Sequence, residues 1–481
     1  MSSVPRIPMT PVYPKRFSVE RATFAVAFFA AILLAPCSAR GADTSRTVDG
    51  DLFSVEAQSG SYMRLFQRAL LPGPAGAIVT DDRLMPIYQN FALRVRGVDS
   101  PVGGKNSIDF ELAAWGGYTV GDLKGERALD GDLSVANVVQ RLGDSYVRLG
   151  RQIYIGGASR FAQFDGVAVG VASRAEAGQV GVDLYGGSTV VPRWSSRPGY
   201  FQLGSAADTL LRYPQTIPQP NRVGTWQGGV RFHGSYPKVG GAGVSFHEQH
   251  ENGLLGARKL GVDAFLNPFD YATLSAQGIV DLDSQQLADG RAWFDFYPLP
   301  HLSAGLEYLR TNPALFLSKQ SVLSVFAVDP FSEVGTDVNY RPNRVFLIGA
   351  AGYVERFDTS GMGARLQGRT QYTSGKVTLQ LALGRVADPK VGYYSSRASL
   401  RWLVARPVTL TLDQYYYFYD HRIRGLAGSA VESATAEWRM NPATRVALSG
   451  SVTQSPYVLF DTQATLSLVI DLVAIQQRNS L

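Results

Sequence analysis

The feature that most constrains this chain is a two-residue alternation of apolar and polar side chains, sustained from about residue 59 to residue 472. The alternating segments are each about ten to fifteen residues long and are bounded by Gly, Pro, Asn, Asp or Ser. In residues 377–383, for example, Val, Leu, Leu and Leu alternate with Thr, Gln and Ala. A period of two places these sets on opposite faces of a β-sheet, one apolar and one polar.

The number of segments and the links between them distinguish a barrel from a β-sandwich, in which strands also alternate. About 22 segments can be counted, with a range of 18–24, which is too many for one sandwich. Tight turns near residues 143, 237 and 375 alternate with longer links at 70–85, 188–220 and 313–330. Bacterial outer-membrane barrels have short periplasmic turns and long outer loops. The sequence therefore predicts an all-β protein, a transmembrane antiparallel up-and-down barrel of about 22 strands.

The N-terminal segment predicts secretion. Lys15, Arg16 and Arg21 precede an apolar stretch that small residues follow, which is the order of a signal peptide. We expect residues 1–42 to be the signal peptide, 43–58 a short periplasmic segment, 59–472 the barrel and 473–481 a C-terminal tail. The only cysteine, Cys37, lies inside the signal, so the mature chain is expected to lack disulfides and thiolate chemistry. The predicted location is the outer membrane of a Gram-negative bacterium.

Charge argues against a nucleic-acid partner. The chain has a formal net charge of +6, but residues 1–42 contain five basic residues and one acidic residue, so the remainder carries about +2. Arginine strongly outnumbers lysine among the cations. Guanidinium suits sites that bind carboxylate or phosphate, although a GC-rich genome explains the same bias.

The polar faces of the predicted strands carry many arginines, and an arginine that faced lipid at mid-membrane would cost about 2–4 kcal/mol. Arg365 with Arg369, and Arg397 with Arg401, fall on strands two apart, so four guanidiniums could form a ladder along the wall. The alternative is that these residues brace the wall by pairing with carboxylates, which are nearly as numerous on the same faces. The lumen-lining candidates are Arg94, Arg96, Arg148, Arg231, Arg291, Arg365, Arg369, Arg397 and Arg401.

A barrel of this size needs something to narrow it, because too few residues precede the first strand to form a plug. The link 188–220 is a constriction candidate, with Arg193, Trp194, Arg197 and Arg212. The alternative is that it only covers the outer mouth. The link 313–330 is apolar enough to contain a short helix. The aromatic runs at 393–394 and 415–419 are expected to contribute to membrane girdles.

Nothing in the sequence indicates an enzyme, a cofactor or a metal site. His247 and His250 superficially look like metal ligands, but a spacing of three puts them on opposite faces of a strand. Glycine-rich stretches such as residues 240–243 lack the following helix that phosphate binding requires.

One stretch resembles a known family. Residues 146–167 read YVRLGRQIYIGGASRFAQFDGV, and VDLYG follows at 182–186. This is similar to the early segment of the alginate-export family of outer-membrane porins, in which a Leu-Gly-Arg-Gln strand precedes Phe-Asp-Gly-Val. The resemblance implies a monomeric barrel with an Arg-rich lumen that passes a polyanionic sugar chain. It also implies that Arg148, Arg151, Arg160 and Asp165 lie near the channel. The predicted strand number exceeds the 18 of that family.

The function predicted from these features is a porin that passes polar solutes by passive diffusion, with a preference for anions or saccharides. Two alternatives stay open: export of an anionic polysaccharide, and a non-transporting scaffold that holds a partner protein. The expected partners are outer-membrane lipid and lipopolysaccharide, the barrel-assembly machinery, and a polar solute or anionic saccharide.

Overall fold

The computed structural model describes residues 52–70, 79–99, 106–121, 129–175, 178–190, 225–251, 253–316, 329–388, 392–423, 425–456 and 461–477. This part of the chain contains 22 β-strands, the number that the sequence predicts. They are β1 Leu52–Leu70, β2 Val79–Asp99, β3 Ser107–Val120, β4 Leu129–Leu142, β5 Ser145–Gly156, β6 Arg160–Ala175, β7 Gly178–Thr189, β8 Trp226–Tyr236, β9 Gly240–Glu251, β10 Leu254–Phe269, β11 Ala272–Asp281, β12 Gln286–Leu299, β13 Leu302–Thr311, β14 Phe331–Tyr340, β15 Phe346–Phe357, β16 Gly361–Ser374, β17 Val377–Ala387, β18 Tyr393–Ala405, β19 Val408–Ile423, β20 Leu426–Asn441, β21 Thr444–Gln454 and β22 Asp461–Gln477.

The strands form one closed antiparallel barrel. Each pairs with the next along the chain, for example β16 with β17 from Ala364↔Ala387 to Ser374↔Val377. The first and last strands close the sheet by pairing with each other. Closure leaves no strand at a free edge of the sheet, which is how a barrel removes sheet edges.

The barrel is longer at both ends than the predicted 59–472. The ladder between β1 and β22 begins at the pair Leu52↔Gln477, so residues from both predicted flanking segments, 43–58 and 473–481, belong to strands. Backbone hydrogen bonding between the two closing strands continues beyond the point where the hydrophobic alternation is visible. The predicted signal peptide, residues 1–42, lies outside the described residues.

The connections differ at the two ends of the barrel, as predicted. Links from even to odd strands are mostly tight turns, such as 143–144 and 375–376, and this end also holds the start of β1 and the end of β22. Links from odd to even strands include the longest ones, 190–225 and 312–330. The 312–330 link contains a short 3-10 helix, Pro313–Phe316, close to where the sequence predicted one. No helix in the described ranges is long and apolar enough to span a membrane.

The inner face of the wall is identified by the connection between β5 and β6, residues 156–160, which we call the inner turn. The inner turn contacts β9, β10 and β11, several strands away around the sheet. In a closed barrel such a contact passes through the interior. The inner turn meets Ser245 of β9 and Asp289 of β12, so these side chains face inward. The strand pairing carries this assignment around the barrel, because directly paired residues share a face.

The outer face is apolar. In β17, Leu379, Leu381 and Leu383 point outward and alternate with the inward-facing Thr378 and Gln380. Leu383 is 68% exposed, so nothing in the described part of the protein covers it.

The aromatic runs divide between the two faces, so only part of each run can contribute to the expected girdles. Tyr394, Tyr416 and Phe418 point outward, whereas Tyr415 and Tyr417 face the lumen with Tyr393 and Tyr419. Alternation along a strand sends neighbouring side chains to opposite faces, so a continuous run of aromatic residues cannot line one surface.

Side chains are buried on β1 to β12, on β14 and on β22. A small apolar cluster of Ala162, Phe164, Ala168 and Tyr185 lies on the inner face of β6 and β7. Buried polar side chains follow on β8 to β12, and Glu333 is buried on β14. By contrast, none of the described side chains of β15–β21 is buried. The interior is therefore filled beside the inner turn and open along β15–β21.

Candidate functional site

The candidate site is the polar inner face, and most of the predicted lumen arginines belong to it. Strand pairing places them on the face that Ser245 and Asp289 define. They are Arg94, Arg96, Arg148, Arg231, Arg291, Arg365, Arg369, Arg397 and Arg401. Arg160 also points inward, from the end of the inner turn.

Arg151 and Asp165 occupy different positions from those that the resemblance implied. Both alternate with the inward residues of β5 and β6 and share the face of Leu149 and Val167. The Arg151 guanidinium donates to both oxygens of the Asp165 carboxylate, at 2.7 and 2.8 Å, and to the backbone C=O of Leu133 at 2.8 Å. A bidentate pair of this kind holds two neighbouring strands together. The register therefore separates Arg151 and Asp165 from Arg148, with which the resemblance had grouped them.

Arg365 braces the wall. Its guanidinium donates to the buried Glu333 carboxylate at 2.9 Å, lies 3.9 Å from Glu355, and stacks on the Tyr353 ring at 4.3 Å from the ring centroid. Two carboxylates and an aromatic face neutralise and immobilise this cation. Arg365 thus follows the bracing alternative, and little of its charge is left for a solute.

Arg231 braces the opposite part of the wall in the same way. It reaches from β8 across β9 to Asp263 of β10, at 2.7 Å. The strand between them carries Gly243 at the crossing point, where an added Cβ would lie 3.1–3.2 Å from the two side chains. A glycine in the middle strand therefore lets an ion pair span three strands on the inner face.

Arg369 makes a similar crossing, but it pairs with no carboxylate among the residues that the structure describes. Its guanidinium donates to the Asn339 side-chain oxygen at 2.7 Å and 3.2 Å, passing over Gly349. A carboxamide positions the guanidinium without cancelling its charge. Arg369 therefore contributes a net positive charge to the lumen.

Arg397 and Arg401 lie two strands away, on β18. Arg397 stacks on Tyr415 at 4.7 Å and lies 3.7 Å from Asp413, a loose ion pair. Arg401 is exposed and has no ion pair within the described ranges. Arg369 and Arg397 face each other in register across Ala382 of β17. The guanidiniums of Arg369, Arg397 and Arg401 thus lie on either side of β17, whose inward side chains are short or uncharged.

The remaining predicted arginines vary in their pairing. Arg291 lies 3.4 Å from Glu307 and belongs to an inward cleft with Trp293, Asp295 and Asp337. Arg94 lies 3.9 Å from Glu111. Arg148 lies over the Tyr146 ring at 5.8 Å. The predicted ladder is therefore mixed, with some arginines bracing the wall and others exposed to the lumen.

The inner turn narrows this lumen, and the sequence analysis did not single it out for that role. Its Ala158 backbone N–H donates to the Ser245 hydroxyl at 2.7 Å, and its Arg160 guanidinium pairs with the buried Asp289 carboxylate. The only sequence signal is the glycine pair at 156–157, which predicts a turn but not its destination. The constriction candidate proposed instead, the link 188–220 with Arg193, Trp194, Arg197 and Arg212, lies almost entirely outside the described residues.

The histidines of β9 have separate surroundings, as their spacing predicts. His247 faces inward and shares a 2.9 Å hydrogen bond with the Tyr185 hydroxyl. His250 faces outward, stacks on Trp226 and lies 2.7 Å from the Glu248 carboxylate. The described part of the chain contains no group of three or more His, Cys, Asp or Glu side chains arranged to hold a metal ion.

Sequence comparisons identify no relative: no protein-family model matches the chain, and no curated protein matches it. Among solved structures, the chain is similar to OpdK of Pseudomonas aeruginosa bound to vanillate, with 10% identity, a TM-score of 0.42, and coverage of 88% of this chain and 99% of that one. It is also similar to the P pilus usher PapC translocation pore, with 8% identity, a TM-score of 0.43, and coverage of 87% and 99%. Similarity this low supports no argument about function.

Proposed function

We propose that the protein is an outer-membrane channel through which small polar solutes diffuse passively, with a preference for anions. The observation that carries the proposal is the exposed guanidiniums of Arg369 and Arg401, which line the open part of a closed, polar lumen. Positive side chains in a pore raise the local concentration of anions and lower that of cations. The chain needs no energy source for this mechanism, because concentration gradients drive the solute.

The outer surface supports a membrane location. One end of the barrel carries the long links, 190–225 and 312–330, and we call it the long-link end. On the outer face near this end, beyond the apolar side chains, arginines are paired with carboxylates. Arg385 pairs with Asp420 at 2.6 and 2.8 Å, and Arg310 pairs with Asp358 at 2.7 Å for both contacts. A band of apolar side chains that ends in charged pairs is what a barrel needs where hydrocarbon gives way to lipid headgroups. We therefore infer that the long-link end faces the cell exterior and contacts lipopolysaccharide.

The arrangement of charge favours small anionic solutes. The inward face of β16–β19 combines the guanidiniums of Arg369, Arg397 and Arg401, beside the braced Arg365, with hydroxyl and amide groups such as those of Gln380 and Ser399. These groups can donate hydrogen bonds to a carboxylate or to sugar hydroxyls as the solute moves along the wall. Selectivity then comes from charge and from the width that the inner turn leaves.

A planar lipid bilayer tests this proposal. The purified barrel is expected to produce stepwise conductance. In a salt gradient, its reversal potential is expected to have the sign that shows anions to be more permeant than cations. Cation preference would refute the anion assignment. Conductance that is very small but present would favour export of an anionic polysaccharide, the alternative that the family resemblance implies. The absence of any conductance would favour a scaffold for a partner protein.

A further inference from the structure

We propose that the inner turn sets the size limit of the channel and that Asp289 is the residue that holds it in place. The inference rests on the proposed channel function and adds to it the element that determines which solutes are excluded. The inner turn ends the β5–β6 hairpin and crosses the inner side of β7 and β8 to reach β9–β12. It therefore occupies space between the filled part of the wall and the open part along β15–β21.

The inner turn packs closely against β9 and β10. The backbone N–H of Ala158, a residue only 1% exposed, donates to the Ser245 hydroxyl, and that hydroxyl donates in turn to the Gly261 carbonyl. An added Cβ on Gly261 would lie 2.6 Å from the Ala158 nitrogen. On the other side of the contact, a Cβ on Gly157 would collide with the Ser245 side chain. Close packing of the inner turn thus depends on the absence of a Cβ at both Gly157 and Gly261.

The ion pair between Asp289 and Arg160, which we call the latch, holds the inner turn against the wall. The Asp289 side chain is 1% exposed, and a buried carboxylate needs a partner to remain charged. That partner is the Arg160 guanidinium, which also lies over the Phe316 ring at 4.3 Å. The Lys259 ammonium lies over the same ring at 4.5 Å, so the aromatic side chain sits between two cations.

The inner turn includes a strained backbone position at Arg160. Arg160 has φ 53° and ψ −57°, outside the regions that residues with a Cβ prefer. Such strain persists only where surrounding contacts enforce it. Two contacts hold it: the backbone N–H of Arg160 donates to the Gly157 carbonyl within the turn, and the pair with Asp289 fixes the side chain of the strained residue. Removing this pair is therefore expected to release the inner turn from the wall.

The latch is tested by thiol labelling in refolded barrels. A cysteine introduced by Ala158→Cys is expected to react slowly with a water-soluble maleimide, because the site is buried. Adding Asp289→Asn removes one charged hydrogen bond and should raise the labelling rate by about 10- to 100-fold, the usual effect of such a bond on an opening equilibrium. Adding Asp109→Asn instead, which alters a buried carboxylate on β3 that pairs with Arg141 and does not touch the inner turn, should leave the rate unchanged. Equal rates in the first two proteins would overturn the latch.

The size limit is tested by liposome swelling with neutral sugars of increasing mass. Asp289→Asn is expected to admit sugars that the wild type excludes, and Asp109→Asn is expected not to. Gly261→Ala displaces the inner turn without changing charge and should widen the limit as well, which keeps the test valid if Asp289→Asn fails to assemble. Rapid labelling with an unchanged size limit would refute the inner turn as the constriction. A wild-type barrel that admits no solute would instead refute the proposed channel, while the labelling result on the latch would stand.

Discussion

Replacing Arg369 and Arg401 by glutamine is the sharpest test of how this lumen selects ions. The two residues lie on strands two apart and are offset by four residues along them. With strand spacings of about 4.8 Å and rises of about 3.4 Å per residue, an ion midway between them over β17 is about 8 Å from each. In water, each guanidinium then attracts an anion by about 0.5 kcal/mol before screening.

Salt reduces this attraction in a predictable way. At 0.1 M the Debye length is about 10 Å, so each guanidinium contributes about 0.2 kcal/mol. Losing both should therefore lower the ratio of anion to cation permeability by about fivefold, because anions lose an attraction and cations lose a repulsion. At 1 M, where the Debye length is about 3 Å, the same variant should differ little from the wild type.

The assay is the reversal potential across a planar bilayer in a salt gradient, measured at both ionic strengths. The double replacement by lysine serves as the control, because it keeps the charge while losing the fork of guanidinium donors. It should retain the anion preference. An unchanged reversal potential for the glutamine variant at 0.1 M would show that ions pass elsewhere in the lumen, and the reasoning from this open wall would fail.

Three further predictions concern the wall itself. Gly349→Ala places a Cβ 2.5 Å from the Asn339 side-chain oxygen and 2.9 Å from the Arg369 Nε, so these side chains must separate; the lost hydrogen bond should lower stability to urea unfolding by about 0.5–1.5 kcal/mol. Leu383→Arg puts a charge in the outward apolar column and should cost about 2–4 kcal/mol in the same assay in lipid bilayers. Hydrogen bonds from Thr359 and Ser360 hold the pKa of Asp329 below its ordinary value. The stabilisation of the β15–β16 turn by ionised Asp329 should therefore be complete above the ordinary carboxyl pKa. It should be lost as pH falls through the lowered pKa of Asp329. Amide exchange at Thr359 and Ser360 measures this change.

Each of these predictions has a matched comparison. An added Cβ at Gly368 meets nothing within 4 Å, so Gly368→Ala should be close to neutral, and equal losses at the two glycines would contradict the crowding argument. Gln380→Arg on the lumen face of the same strand as Leu383 should be tolerated, and an equal cost would show that both faces meet the same environment. Asp329→Ala should remove the acid-dependent change in exchange, and a change that persists would assign it to another group.

The inner face shows why arginine count alone is a poor guide to selectivity. Arg365 and Arg369 lie on the same face of one strand and are indistinguishable by sequence pattern. One is surrounded by Glu333 and Glu355, whereas the other meets only the carboxamide of Asn339. A charge that is already paired stiffens the wall, and a charge held by a neutral partner is available to solutes.

The sequence alone determined the period of two, the number of strands and the alternation of short and long links, because backbone geometry ties each of these to local residue pattern. It also determined which face most side chains occupy, including the separation of His247 from His250. The aromatic run at 415–419, which was expected to contribute to a membrane girdle, is divided between the two faces by the same geometry.

Only the tertiary structure decided which cations are paired and where the inner turn lies. The Glu333 carboxylate reaches Arg365 across an intervening strand, and the inner turn reaches Ser245 and Asp289, which are remote in sequence from residues 156–160. Such contacts depend on closure of the sheet, which brings distant strands to one interior. No local pattern encodes them, because the glycines that permit the close approaches look like ordinary turn or strand residues until the opposing wall is in place.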